Sequence, residues 1–231
     1  MVVAHSQFPG IALDGSDVYL CWQRFVDRHD SLMASCRRGD EVVWEREISD
    51  GGEVLHPVIL AHGGAIWYAW SEYARENWRI LARCYRDGQW GEVLTVASGE
   101  ALFFPRLFTW QGKLHVIWTE QHKGSAAAVL CPLTEAGPGA AETVSTVGEA
   151  YRAGAAEGGD GNLYVAYDGF DGKQYKLFAR ARTAAGWSEE IVVSQGEDWA
   201  STPWIAAKPD GAVVGWYDYG YMAVYSVRSA D

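Results

Sequence analysis

The chain has no apolar run of about 18 residues, so no segment of it reads as a membrane-spanning helix. Its start, Met1-Val-Val-Ala-His-Ser6, lacks the charged and apolar regions of a secretory leader. The compartment therefore reads as cytoplasmic, or the segment belongs to a longer exported chain. Cysteine is scarce, with four residues, and neither a Cys-x-x-Cys pair nor a Cys/His cluster is present, which argues against structural zinc. Basic residues are outnumbered 19 to 30 by acids, a net charge of −11. That balance argues against nucleic acid and anionic membrane as partners, because both need a basic face. Gly-x-Ser-x-Gly, the phosphate loop and His-Glu-x-x-His are all missing, and no calcium-loop spacing occurs. No cofactor and no metal are expected.

What the chain has in quantity is tryptophan, tyrosine and glycine, with 12, 12 and 26 residues. The aromatics are periodic. Trp22, Trp70, Trp118, Tyr167 and Trp216 each close a short apolar segment, at intervals of 48, 48, 49 and 49 residues. Cys36, Cys84 and Cys131 keep the same spacing, which marks them as small buried positions of a repeat. Such a period means one supersecondary unit repeated along the chain.

Each unit divides into four strand candidates. The first is a short apolar run, usually introduced by proline: Phe8–Leu13, His56–Leu60, Phe104–Phe108, Arg152–Ala156 and Thr202–Ala206. Proline is expected at the first position of the strand, where no ladder donor is lost. Turns at Asp14-Gly15, Gly63-Gly64, Gln111-Gly112, Asp160-Gly161 and Asp210-Gly211 lead into the aromatic-ended second strand. A third strand runs through the cysteine positions, and a fourth through Val42-Val43, Val93–Val96, Thr143–Thr146 and Ile191–Val193. Four antiparallel strands per unit predict a β-propeller blade. The chain is expected to be a single all-β domain, 1–231, a five-bladed propeller of four-stranded blades. The blades fall near 5–50, 51–98, 99–147, 148–195 and 196–231, the last completed by the N-terminal strand 1–4.

The recurring Trp and Tyr are expected to pack between blades. Function is sought in the residues immediately after them, at the loop-rich ends of the second and third strands. The ligand-binding candidates there are Glu72, Tyr73, Trp78, Arg83, Glu120, Asp168, Phe170, Tyr175, Arg180, Trp199, Tyr217 and Asp218. Acids, aromatics and arginine together suit sugars, whose ring faces stack and whose hydroxyls need charged acceptors and planar donors. Glu72, Glu120 and Asp168, on three successive units, are the candidate catalytic carboxylates if the chain is an enzyme. Gly52-Glu53, Gly99-Glu100, Gly148-Glu149 and Gly196-Glu197 recur in the links between units and read equally as turn chemistry.

The unit that includes Arg79–Glu92, Arg-Ile-Leu-Ala-Arg-Cys-Tyr-Arg-Asp-Gly-Gln-Trp-Gly-Glu, resembles bacterial propeller repeats of the sialidase and fucose-lectin type. Asp87-Gly88-Gln-Trp90 and Gly186-Trp187 hint at the sialidase Asp box, while the sialidase Arg-Ile-Pro motif is missing. In size and blade number the chain is also similar to tachylectin-type lectins. Five-bladed furanoside hydrolases share the ring but carry key acids on inner strands, where this chain has little beyond Glu157. The resemblance implies a non-catalytic, lectin-like module that binds carbohydrate or another small ligand. Two alternatives stand beside it: a glycoside hydrolase or sialidase-like enzyme, and a scaffold for protein partners.

Overall fold

A computed structural model describes residues 5–49, 51–194, 199–218 and 221–228, with side chains through Tyr217. Every regular element among them is a β-strand. The first sheet is β1 (His5–Asp14), β2 (Asp17–Val26), β3 (His29–Arg38) and β4 (Glu41–Glu47), in that order. The second is β5 (Glu53–His62), β6 (Ala65–Ala74) and β7 (Asn77–Arg86), with β8 (Gln89–Trp90) and β9 (Leu94–Gly99) both on the outer side of β7. The third repeats this with β10 (Ala101–Trp110), β11 (Lys113–His122), β12 (Ser125–Thr134), β13 (Gly137–Pro138) and β14 (Glu142–Thr143). The fourth holds β15 (Ala150–Glu157), β16 (Leu163–Phe170), β17 (Tyr175–Thr183), β18 (Gly186–Trp187) and β19 (Ile191–Val192). The fifth has three described strands, β20 (Ala200–Lys208), β21 (Gly211–Asp218) and β22 (Tyr221–Arg228). The expected closing strand, 1–4, lies outside the described residues. The chain divides into two compact units, 1–107 with 133–138 and 108–132 with 139–231, and the division falls within the third sheet.

The second strand of each sheet sits between two long neighbours, and in the second to fourth sheets its apolar run is buried on both faces, whereas in β2 only alternate residues are buried. β6 is buried from Ala65 through Glu72. The cores lie between successive sheets. Tyr19, Cys21, Leu32 and Ile48 of the first pack on Ile66, Tyr68, Trp70 and Leu81 of the second. Ala166, Leu177 and Ala179 of the fourth pack on Val214 and Trp216 of the fifth. Trp70, Trp118, Tyr167 and Trp216 are fully buried, as their periodicity predicts, and Trp22 is half-buried. The four cysteines are buried free thiols, and burial pushes Cys21 up to about 12 and Cys131 up to about 11. They are packing residues.

Proline does not begin the first strand as expected. It sits inside the strand, at a bulge. The first and second strands shift register between Gln7 and Gly10, between Leu55 and Val58, and between Ser201 and Trp204, passing over Pro9, Pro57 and Pro203. The fourth sheet has the same shift between Tyr151 and Gly154, with Ala153 in the proline position. The residue before is left-handed in all five copies: Phe8, His56, Phe104, Arg152 and Thr202 have φ of 51°, 53°, 56°, 43° and 55°. A bulge interrupts the ladder, so a residue without an N–H costs nothing there.

The fourth strand is also not one strand in the second, third and fourth sheets, where a short hairpin is followed by a separate short strand. Where it departs, a serine takes over its hydrogen bonding. Leu32, Ala128 and Leu177 each donate their N–H to a hydroxyl, of Ser49, Ser145 and Ser194, at 3.0 Å. The carbonyls of the same three residues accept the N–H of Ile48, Val144 and Val193 at 2.8 to 2.9 Å. In the second sheet the matching residue is Ala97, which pairs directly with Ile80 inside β9, so no hydroxyl is required. Arginine adds a second tie. Arg83 donates from Nε to the Gly91 carbonyl at 2.8 Å and from Nη1 to Ile48 at 3.5 Å. Arg180 repeats this with Ser188 at 2.9 Å and Val144 at 2.6 Å. Each guanidinium lies over a tryptophan, Trp90 or Trp187.

Two measurements test these devices. Ser145→Ala leaves the buried Ala128 N–H without its acceptor, so the urea unfolding midpoint should fall by the equivalent of about 1–3 kcal/mol. His56 tests the bulge. Its ring lies between Phe8 and Phe104, at centroid distances of 5.0 and 4.2 Å, and its Nδ1 is buried without a hydrogen-bond partner. Burial, helped by the charge of Arg106, lowers its pKa to about 4 from the ordinary 6.5. The folded state binds this proton less readily than the unfolded chain does. The stability from a neutral His56 is therefore whole above pH 6.5 and is lost as pH falls from 6.5 toward 4. His56→Phe copies the residue found at positions 8 and 104. It should remove up to about 3 kcal/mol of acid destabilisation, read as the difference between wild-type and variant urea curves across this range.

Candidate active site

Glu72 and Glu120 each lie two residues beyond the repeat tryptophan, so they occupy one position in successive sheets. Their surroundings differ completely. Glu72 is fully buried on β6. It accepts a hydrogen bond from Trp70 Nε1 at 3.2 Å and is ion-paired with Arg79, which lies directly opposite it on β7. A Cβ on Gly52 would run into the Glu72 side chain, so the glycine of the Gly52-Glu53 link makes room for this pair. Glu53 itself accepts the Asp30 N–H at 3.1 Å.

In the third sheet the residue opposite Glu120 is Ala127, so the arginine of the second sheet has no counterpart here. Two differences accompany this. Glu120 is exposed. The Nε1 of Trp118, whose counterpart in Trp70 donates to Glu72, is buried with no hydrogen-bond partner. Where the guanidinium would lie there is a cavity of about 270 Å³, lined by Glu120, His122, Ser125, Ala127, Val129, Ala141 and Thr143. Alternation along a strand puts Glu120 and His122 on the same face. Ser125, opposite His122, donates its hydroxyl to the His122 carbonyl at 3.1 Å. This cavity brings an accessible carboxylate and an imidazole together in a concave setting.

Asp168 follows its aromatic, Tyr167, by one residue and not two. It is therefore the counterpart of Thr119, and side-chain alternation sends it to the other face of its strand. It is fully buried and bound in a fork by Arg152, the left-handed bulge residue of β15, with Nε at 3.0 and 3.1 Å from the two carboxylate oxygens. The Arg152 N–H in turn donates to Thr119 Oγ1 at 3.1 Å. Thr119 adjoins Glu120, so one short chain of bonds runs from the cavity wall to the buried ion pair.

The remaining candidates fall into groups. Tyr73 and Trp78 form a cross-strand pair 5.3 Å apart, and Trp78 meets Phe103 edge-on at 4.6 Å. Phe103, Phe104, His56 and Phe8 continue the run of ring contacts. Phe170 and Tyr175 are the equivalent pair at 5.5 Å, and Tyr175 also touches Trp199 at 5.5 Å and Tyr151 at 6.2 Å. Tyr217 packs edge-on against Trp204 at 5.0 Å. Arg83 and Arg180 are engaged in the inter-sheet ties to backbone carbonyls. The side chain of Asp218 and the Gly196-Glu197 link lie outside the described residues. Among the described residues no group of three His, Cys, Asp or Glu could hold a metal ion, and no helix is long and apolar enough to cross a membrane.

His122, Ser125 and Thr143 were not among the sequence candidates. The signal for them was limited: His122 lies two residues past Glu120, and Ala127 stands where the preceding unit has Arg79.

The sequence matches no protein-family model and no curated protein. The fold does have solved counterparts. An α-L-arabinofuranosidase from Lactobacillus brevis aligns over 95% of this chain and 85% of its own, at 11% identity and a TM-score of 0.59. An endo-arabinase from Bacteroides thetaiotaomicron aligns over 97% and 95%, at 11% identity and a TM-score of 0.59. A puromycin-hydrolyzing peptidase from Mycobacterium tuberculosis aligns over 99% of this chain but 38% of its own, at 16% identity and a TM-score of 0.58. At such identities the likeness shows the fold, that of a β-propeller. It also corrects the expectation of a non-catalytic, lectin-like module. The similar structures are enzymes, glycoside hydrolases and mannoside phosphorylases among them, and the sialidase-type and lectin-type likeness of the repeats has no counterpart in these three. The physical reason lies in the third sheet. A repeat motif without a catalytic signature reads as binding only, whereas Glu120, unlike Glu72, has no guanidinium opposite it and shares a cavity with an imidazole. The alternative of a glycoside hydrolase is consistent with these neighbours.

Proposed function

We propose that the chain is a carbohydrate-active enzyme, a glycoside hydrolase by reaction class, with its chemistry at the Glu120 cavity. The observation that carries this is the contrast between two copies of one position. Glu72 is neutralised by Arg79, while Glu120 is unpaired by guanidinium, accessible, and shares its cavity with His122. Hydrolysis of a glycosidic bond needs a group to protonate the leaving oxygen and a group to activate water. Glu120 serves as the proton donor and His122 as the base that orients the water. Asp168, being buried, acts through Arg152, fixing a half-exposed guanidinium that can donate to sugar hydroxyls. The pairs Tyr73 with Trp78, and Phe170 with Tyr175 and Trp199, offer faces on which sugar rings stack. In this reading the sheets are blades of a β-propeller, and the hairpin between second and third strands of the third sheet borders the substrate site.

The test is turnover of a panel of chromogenic aryl glycosides, α-L-arabinofuranoside and β-mannoside included. Glu120→Gln and His122→Asn should each lower kcat by roughly 100-fold or more while leaving the thermal midpoint unchanged. Ala127→Arg copies the second sheet, sets a guanidinium opposite Glu120 as Arg79 stands opposite Glu72, and should abolish turnover while preserving the fold. Asp168→Ala should instead cost about 3 kcal/mol of stability, because it strands Arg152. No turnover on the panel, or a Glu120→Gln variant with wild-type kcat, would sink the assignment.

A further inference from the structure

The second sheet carries a cavity at the same place in its repeat as the Glu120 cavity of the third. It measures about 350 Å³ and is lined by Ala74, Arg75, Asn77, Arg79, Ser98 and Gly99. Ala74 stands where His122 does, Asn77 where Ser125 does, and Arg79 where Ala127 does. One location in the repeat therefore presents an acid and an imidazole in one sheet, and two arginines in the other. We infer that this second cavity binds an oxyanion, either the carboxylate of an acidic sugar or a phosphate.

Four features support it. The lining holds two guanidinium groups, an amide and a hydroxyl but no carboxylate, within a chain of net charge −11. Arg79 is held by the fully buried Glu72, which uses Nη2 and fixes the orientation of the planar group. Its Nε is buried and has no hydrogen-bond partner. Leaving such a donor unpaired is costly, and an oxyanion is the acceptor that repays it best. Finally, Arg75 is set by a strained turn. Arg75 and Glu76 form the two-residue hairpin between β6 and β7 with φ of 52° and 65°, a left-handed pair that normally falls to Asn and Gly. The third-sheet hairpin has a glycine at its second turn position, Gly124. The second sheet keeps two non-glycine residues there, and the first of them lines the cavity. Tyr73 and Trp78 leave the opposite face of this hairpin, so the site is separate from their aromatic surface.

Isothermal titration of the purified chain tests this with two probes, sodium phosphate and sodium galacturonate, each against sodium chloride of equal ionic strength. The expected result is saturable binding of at least one probe. Arg75→Ala and Ser98→Ala, which leave the Glu72–Arg79 pair intact, should weaken it, the arginine change by roughly tenfold or more. Binding of phosphate alone assigns a phosphate ligand, and binding of galacturonate alone assigns an acidic sugar. Heat that matches sodium chloride for both probes overturns the inference, and so does binding that Arg75→Ala leaves unchanged. The measurement needs no turnover and does not touch Glu120. A failed hydrolase assay and a failed titration are therefore separate outcomes.

Discussion

Burial of the second strand on both faces is the constraint on which the rest of this structure depends. A strand sandwiched between two neighbours and two adjoining sheets has no wet face on which to place a polar group. Its sequence must be apolar throughout, which is why Ile66-Trp-Tyr-Ala-Trp70 and its copies read as runs and not as alternations. Charged residues enter where the strand leaves the core, and the buried ones are then satisfied locally. Glu72 meets Arg79 and Trp70, Asp168 meets Arg152, and Thr119 meets the Arg152 N–H. The same pressure explains the serines at 49, 145 and 194. They complete the third strand wherever the fourth has turned away, and the serine is absent at position 97, where the strand continues.

Much of this was legible in the sequence, because the period of 48 to 49 residues locates five units and the turn dipeptides divide them. The placement of the strands and the burial of Trp70, Trp118, Tyr167 and Trp216 come directly from it. The bulge was not legible. Pro57 looks like the start of a strand because proline normally stays out of ladders, yet an interrupted ladder tolerates it equally well. The left-handed residue before the proline distinguishes the second case, and His56 or Arg152 carry no sequence mark of that conformation.

The ion pairs were hidden for a related reason. Arg79 lies seven residues after Glu72, and Arg152 lies sixteen before Asp168. Only the register of the finished sheets brings each pair together. Sequence position alone therefore treats Glu72, Glu120 and Asp168 as alike, although two are neutralised by arginine and one is not. The one-residue offset of Asp168 from Tyr167 was visible, and strand alternation alone would have placed it on a different face.

A repeat array separates structural from functional residues in a way a single domain does not. Every copy of a position faces nearly the same packing problem, so a residue that recurs is explained by the problem. A residue that breaks the pattern requires its own explanation. The Glu120–Ala127 pair, set against Glu72–Arg79 of the second sheet, is one such difference. It lacks the ion pair and leaves the Trp118 indole N–H without an acceptor. The unpartnered indole N–H is a cost to stability that Trp70 of the second sheet does not bear. It is kept beside an accessible glutamate and a histidine. Sites that perform chemistry are where such local conflicts concentrate, because a reactive carboxylate cannot also be a neutralised one.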